Sequence, residues 1–215
     1  MTKPDSPSNL KATRFTRRNN ELRQQLSGVD PIRLAENTGA IYHSAEGSRA
    51  DFTLSLWERD IRVSFPDFIA RSWPEGKELP EIQQALLLYY FNTSDGIPVS
   101  GQWISFSELP AGRFYAQAFQ RYTGQELVRH FQDNQVGFVK VAESLGGTRQ
   151  AIGDVSFAFQ ALPRIPVLVI FWRGDEDFPS SFQVLFDASA SHYLPTDAYA
   201  ILGSTITHQL IISGF

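Results

Sequence analysis

The stretch DVSFAFQALPRIPVLVIFWRGDEDFPSSFQVLFD, residues 154–187, consists of three apolar segments separated by turn-forming residues. In the first and third segments every second residue is apolar, which is the period of a strand with one buried face. The middle segment, IPVLVIFWR, is continuously apolar, as expected of a strand that is buried on both faces. The connections PRIP and GDEDFPS are short, so the stretch predicts a three-strand antiparallel meander.

The same period of two occurs nearer the N-terminus, in ADFTLSLWERDIRVSFP, residues 50–66. Apolar residues alternate on either side of a short charged segment, a pattern that predicts a β-hairpin with one buried face. The segment AIYHS, residues 40–44, is a candidate for a further strand.

Helical spacing and helix-capping residues mark most of the remaining chain. The clearest example is VDPIRLAENTG, where Asp30 is placed to cap the helix, Pro31 to begin it and Gly39 to end it. At the other end of the chain, Thr196 is the expected N-cap of the last helix, with Asp197 in its first turn. The predicted helical segments are 17–28, 29–39, 79–96, 114–122, 127–131, 136–147 and 195–212.

These elements predict an α+β protein, in which an antiparallel sheet formed by the N-terminal hairpin and the C-terminal meander packs with several helices. Residues 1–9 are rich in Pro, Ser and Asn, and we expect them to form a disordered tail. Residues 10–215 are expected to form a single domain, since no internal repeat or composition break divides them.

Composition excludes several classes of function. The chain has no cysteine, which excludes disulfides, thiolate zinc sites, cysteine-ligated iron–sulfur clusters and cysteine nucleophiles within it. A net charge of −4 provides no broad basic surface, so nucleic acid is not an expected partner. The N-terminus has no apolar core typical of a signal peptide, and no apolar run is long enough to cross a membrane. We therefore expect a cytoplasmic protein with no membrane partner.

Several segments resemble an uncharacterised family of proteins known mainly from anaerobic bacteria and archaea. The resemblance extends over residues 20–212 and rests on the segments LRQQLSGVDPIRLAENTGA, GQWISFSELPAGRFY, LPRIPVLVIFWRGDEDFP and VLFDASASHYLPTDAYAILG. Some relatives carry a cysteine-rich iron–sulfur module, and this chain departs from that pattern because it has no cysteine. The resemblance implies a setting in anaerobic redox or corrinoid metabolism, with a redox or corrinoid protein as partner.

Three consecutive acids, Asp175, Glu176 and Asp177, follow the central segment of the meander. A turn explains Gly174 and one aspartate, because these residues satisfy the backbone demands of a tight connection. It does not require three acids, and hard cations such as Mg²⁺ bind several carboxylate oxygens on a short loop. The two interpretations are a divalent-metal site and a turn that is either solvated or paired with an arginine, with Arg173 or Arg164 as the nearest basic partners.

A second candidate site lies in the loop DASASHYLPTD, which begins at Asp187 and also contains His192 and a second carboxylate, Asp197. A carboxylate and an imidazole on one loop can bind a metal or act as an acid and base. Alternatively, Asp187 accepts hydrogen bonds from the backbone of the Ala-Ser-Ala-Ser turn and has only a structural role.

The aromatic content is the third signal, since Phe, Tyr and Trp make up 13% of the chain. Most such rings form core, but several on one concave surface would suit a flat cofactor or a partner peptide. We predict such a surface, with His192 as a candidate ligand to a corrinoid or other tetrapyrrole metal. Its aromatic members are Trp103, Phe106, Tyr115 and Trp172.

Three functional hypotheses follow. The first is a non-enzymatic accessory protein that binds a cofactor or a partner. The second is a divalent-metal-dependent hydrolase that uses Asp175, Glu176, Asp187 and His192. The third is a structural partner subunit.

Overall fold

The computed structural model describes residues 7–44 and 50–214 of the chain, with side chains described from residue 16 onward. It divides the chain into two compact units, residues 1–97 and residues 98–215. Each unit contains its own antiparallel sheet and its own helices, which confirms the α+β class. Of the predicted tail, residues 1–6 lie outside the described residues, and residues 7–9 belong to the first helix.

Within its described residues, 7–44 and 50–97, the first unit contains three helices and a four-stranded sheet in the order β1-β2-β3-β4. The predicted hairpin forms β2 and β3, and AIYHS supplies β1. The fourth strand was not predicted, because three residues are too few to show a period. The elements are α1 (Pro7–Leu26), α2 (Pro31–Thr38), β1 (Ile41–Ser44), β2 (Ala50–Leu56), β3 (Arg59–Phe65), β4 (Ala70–Ser72) and α3 (Glu81–Thr93).

Helix α2 begins and ends where its local sequence predicted. The Asp30 side chain accepts a hydrogen bond of 3.0 Å from the Ile32 N–H, which satisfies one free donor of the first turn. Gly39 has a φ of 71°, a left-handed conformation that glycine adopts without steric cost. The Gly39 N–H donates to the Ala35 carbonyl and ends the helix.

Aromatic rings fill the core of the first unit. Phe52 of β2 lies 5.0 Å from the Phe91 ring of α3 and 6.2 Å from the Phe68 ring, measured between centroids. Such pairs contribute about 0.5–1.5 kcal/mol each beyond the area they bury. Helix α3 buries most of its residues, because its sequence is apolar on nearly all sides.

The second unit contains a five-stranded sheet in the order β5-β9-β8-β7-β6, with four helices. The predicted meander forms β7, β8 and β9, and β8 is central and almost entirely buried. Strand β6, like β4, is too short to have been predicted. The elements are β5 (Trp103–Ser105), α4 (Ala116–Tyr122), α5 (Gly124–Phe131), α6 (Gln135–Ser144), β6 (Thr148–Gln150), β7 (Val155–Leu162), β8 (Ile165–Trp172), β9 (Ser181–Asp187) and α7 (Thr196–Ile212).

The predicted helix starts in the second unit differ from those in the structure by one to three residues. Thr196 is the first residue of α7 and does not cap it, because its hydroxyl donates to the Pro110 carbonyl at 2.7 Å. Helix α4 begins at Ala116, since residues Gly112–Phe114 form a separate 3₁₀ turn. Within the described residues, no helix combines the length and apolarity needed to cross a membrane.

Candidate functional site

Asp187 ends β9 with its side chain buried. One carboxylate oxygen accepts hydrogen bonds from the N–H and hydroxyl of Ser100, both at 2.9 Å, and from the N–H and hydroxyl of Ser189, at 2.9 and 2.6 Å. The other oxygen accepts from the Gly101 N–H at 2.7 Å. The carboxylate therefore joins the segment before β5 to the turn after β9.

The charge of Asp187 is stabilised by these donors. Burial by itself raises the pKa of the carboxyl group, but the hydrogen bonds from Ser189 and Ser100 together outweigh it and lower the pKa below its usual value. Because donors bond to both oxygens, the geometry supports a structural role for Asp187, which was the alternative to metal binding or acid–base chemistry.

The connection between β8 and β9 lies at the other end of β9 and is held by its own hydrogen bonds. The Asp175 carboxylate accepts from the N–H groups of Asp177 and Phe178, at 2.9 and 2.8 Å, and the Asp175 N–H donates to the Phe178 carbonyl at 2.8 Å. The Ser180 hydroxyl accepts from the Gly174 N–H at 2.7 Å and donates to the Asp133 carboxylate, at the end of α5. This braced turn has a fixed shape, and Asp175 performs the turn chemistry expected of it.

An open cleft of about 470 Å³ lies between this turn and the end of α5. We call it the Phe178 cleft, because the Phe178 side chain is 72% exposed on its rim. The lining residues are Val128, Gln132, Asp133, Arg173, Gly174, Asp175, Phe178, Pro179 and Ser180.

Gln132, in the wall of the cleft, has a strained backbone. Its φ is 49° and its ψ is −125°, a backbone conformation that residues other than glycine rarely adopt. The residue directly after it, Asp133, receives the hydrogen bond from Ser180. The strained residue therefore lies next in sequence to Asp133, whose hydrogen bond with Ser180 joins the end of α5 to the turn.

Carboxylates outnumber cations at the Phe178 cleft. Asp133 and Asp175 line it, Glu176 and Asp177 lie exposed on the same turn, and Arg173 is the cation among the lining residues. Among the described residues, no ion pair joins Arg173 to these acids, and its backbone N–H donates to Asp154 at 2.9 Å. The cleft is thus net negative.

The predicted metal ligands fall into two separate places. Asp175 and Glu176 precede β9, whereas Asp187 and His192 lie at and beyond its other end. A seven-residue strand is about 20 Å long, so the structure does not bring the two pairs together. Within the described parts of the chain, no three His, Asp or Glu side chains are grouped so that they could hold a metal ion.

The predicted aromatic surface is divided in the same way. Trp103 pairs with Asp187 and Trp172 with Ser181, at opposite ends of β9. Phe106 is a core residue whose ring stacks on Phe119 with centroids 4.2 Å apart, beside a small cavity of about 140 Å³. The other two members differ in exposure, since Tyr115 is exposed before α4 and His192 is half-buried in a short turn.

Asp175 and Arg173 of the Phe178 cleft were singled out from the sequence, whereas Phe178, Asp133 and Ser180 were missed. The sequence places Phe178 in the predicted turn, and the one signal of its exposure is that a large apolar side chain follows three acids in a connection that is otherwise polar. Nothing in the sequence links Asp133 to Ser180, which are 47 residues apart.

Comparison with known proteins gives a family and no activity. A family model described as a domain of unknown function (DUF3786) matches residues 30–209. No curated protein and no solved structure matches the chain.

Proposed function

Since the chain belongs to the DUF3786 family of domains of unknown function, we propose from the Phe178 cleft itself that it is a non-enzymatic accessory protein that binds a basic segment of a partner protein. The observation that carries the proposal is the exposed Phe178 side chain, held on a braced turn beside an open cleft.

The hydrogen bonds around the turn favour binding because they fix Phe178 in advance. An exposed aromatic ring gains apolar contact when a partner covers it, and aromatic residues are frequent among those that dominate binding energy. A loop that is already ordered loses less conformational entropy on association. Asp175 and Ser180 supply that order through side-chain hydrogen bonds.

The charge of the cleft supports a basic ligand. The carboxylates of Asp133 and Asp175 line the cleft, and those of Glu176 and Asp177 are exposed on the same turn. Among the lining residues, Arg173 supplies the one guanidinium. Lys or Arg side chains beside an apolar residue of the partner would complement both features. A redox or corrinoid protein is the class of partner that the resemblance to the family implies.

The cleft gives less support to the hypothesis that the protein binds a cofactor. None of the lining residues is histidine, the side chain that commonly ligates a tetrapyrrole metal. The open shape of the cleft also suits a chain segment lying across the surface better than an enclosed planar ring.

Site-specific photo-crosslinking tests the proposal. The photoreactive residue p-benzoylphenylalanine is placed at position 178 or, as the control, at position 149, which is also exposed in the same unit but lies on β6. We expect a crosslink from position 178 to a peptide that contains Lys or Arg and an apolar residue. That peptide is then synthesised with a fluorescent label and titrated by anisotropy.

The proposal requires Phe178→Ser to weaken binding of the labelled peptide about tenfold or more, with the melting temperature unchanged. Added salt should also weaken binding, because exposed charges are screened. The proposal fails if position 178 gives no crosslink, or if Phe178→Ser binds the peptide as wild type does. A shift in the absorbance spectrum of hydroxocobalamin on adding the protein would favour a corrinoid-binding protein instead.

A further inference from the structure

A second exposed aromatic surface lies in the second unit, in the segment that connects β5 to α5. Phe114 is 86% exposed and its neighbour Tyr115 is 60% exposed, values that are high for large apolar side chains. Tyr115, Ala118 and Tyr122 are all exposed and lie at helical spacing, so they share one side of α4. We call these residues, with Arg113 and Arg121, the Phe114 patch.

The turn that precedes the patch is fixed by close packing. A Cβ atom on Gly112 would lie 1.9 Å from the Phe106 carbonyl oxygen, so only glycine fits there. Ala111 has a φ of 58°, a left-handed conformation that costs energy for any residue with a side chain. Phe114 is thus presented by a rigid turn, although its own side chain is almost fully in solvent.

The patch is basic within an acidic protein. Residues 109–125 contain Arg113 and Arg121 and no Asp or Glu, whereas the chain as a whole has a net charge of −4. Both arginines are exposed, and within the described residues neither forms an ion pair. Their guanidinium groups are therefore available to carboxylates, which they bind in a bidentate manner.

The composition of the patch favours a protein partner over a lipid surface or a nucleic acid. Tyr, Phe and Arg are enriched at the centre of protein interfaces, where Lys, Glu and Asp are depleted, and the patch has this composition. Two arginines in a net acidic chain give little attraction to the many phosphates of a membrane or a nucleic acid.

We infer that the Phe114 patch is a docking surface for an acidic segment of a partner protein, separate from the Phe178 cleft and opposite to it in charge preference. Carboxylates of the partner pair with Arg113 and Arg121, and an apolar side chain covers Phe114 and Tyr115. The inference does not depend on the proposed function, since the two surfaces share no residue. A chain with both surfaces would hold two differently charged segments at once.

The test places p-benzoylphenylalanine at position 114 in the full chain and identifies the peptide that becomes crosslinked in extract of the native cell. That peptide, labelled with fluorescein, is titrated against wild type, Phe114→Ser and the double variant Arg113→Gln with Arg121→Gln. Arg149→Gln is the matched control, because Arg149 is exposed in the same unit but lies on β6.

We expect the crosslinked peptide to be rich in Asp and Glu, and we expect Phe114→Ser and the double variant each to weaken its binding about tenfold or more. Arg149→Gln should bind as wild type does, and Phe178→Ser should also leave this binding unchanged. Because the altered residues are exposed, circular dichroism should show an unchanged fold for every variant.

Several results would overturn the inference. These are the absence of any crosslink from position 114, a crosslinked peptide that is not acidic, and binding that Phe114→Ser does not change. Crosslinking to a second copy of this chain would replace the partner with self-association. Binding to vesicles of anionic phospholipid or to a single-stranded oligonucleotide, lost in Phe114→Ser, would likewise assign the patch to a different ligand.

Discussion

The two ends of β9 each have an aspartate close by, and the two residues have different roles. Asp187 is buried, and five hydrogen bonds occupy its oxygens. Asp175 is exposed, and one of its oxygens accepts two N–H groups while the residue lines an open cleft. A carboxylate enclosed by its own chain holds the fold, whereas one at the rim of a cleft remains accessible to a partner.

The largest expected effect in this comparison is that of Asp187→Ala. The substitution removes five hydrogen bonds to a buried carboxylate and leaves the buried N–H group of Ser189 without an acceptor, so it should lower the free energy of unfolding by about 2–5 kcal/mol. Urea denaturation measures the loss, and hydrogen exchange at those amides locates it. The exposed Asp177→Ala is the control and should change stability by no more than about 0.5 kcal/mol. Equal effects of the two substitutions would contradict the structural role.

The pH dependence of stability should show the same contrast. The pKa of Asp187 is lower in the folded chain than its usual value of 3.8, so its contribution is complete above that value and is lost as the pH falls through the folded pKa. The urea concentration at the unfolding midpoint of wild type should therefore decrease as the pH is lowered below about 4. In Asp187→Asn this acid-induced decrease should be smaller, and an unchanged decrease would argue against a lowered pKa.

An intermediate effect is expected for Asp175→Ala compared with Glu176→Ala. Both remove one negative charge from the same turn, but the Asp175 carboxylate also holds the N–H groups of Asp177 and Phe178. Asp175→Ala should weaken binding of the peptide captured at position 178 about tenfold, and Glu176→Ala about twofold. Anisotropy titration measures both. Equal losses would show that charge alone matters and that the shape of the turn does not.

The smallest expected effect is a gain in stability from Gln132→Gly. Glycine adopts the positive φ of this position without strain, so unfolding should become less favourable by about 0.5–1 kcal/mol. Gln125→Gly, at an exposed position within α5, is the control and should cost about 1 kcal/mol. If Gln132→Gly is also destabilising, the strain assigned to Gln132 is absent.

Much of the fold could be predicted from the sequence, because local patterns carry it. The alternation of Val155, Phe157 and Phe159 in β7 reflects one buried strand face. The continuous apolar run that forms β8 likewise reflects two buried faces. Asp30 and Gly39 define α2 through contacts within a few residues. The predictions failed where a distant group intervened, as at Thr196, whose hydroxyl bonds to Pro110 instead of capping its own helix.

The candidate site could be predicted only in part. The turn chemistry of Asp175 was visible because it involves neighbouring residues, and so was the structural alternative for Asp187. The separation of Asp175 from Asp187 could not be predicted, because it depends on β9 forming one continuous strand between them. The exposure of Phe178 and Phe114 also had to await the structure, since a phenylalanine in a sequence is more often core than surface.

The sequence by itself determined the α+β class, the hairpin, the meander and the absence of cysteine chemistry, because periodicity and composition depend on residue types alone. Only the tertiary structure decided which acids are enclosed and which are accessible, and which aromatic rings reach solvent. Those properties depend on contacts between distant segments, such as Ser100 with Asp187 and Asp133 with Ser180. No local sequence pattern encodes such contacts, because the residues around each partner favour the same local structure whether or not the other partner is near.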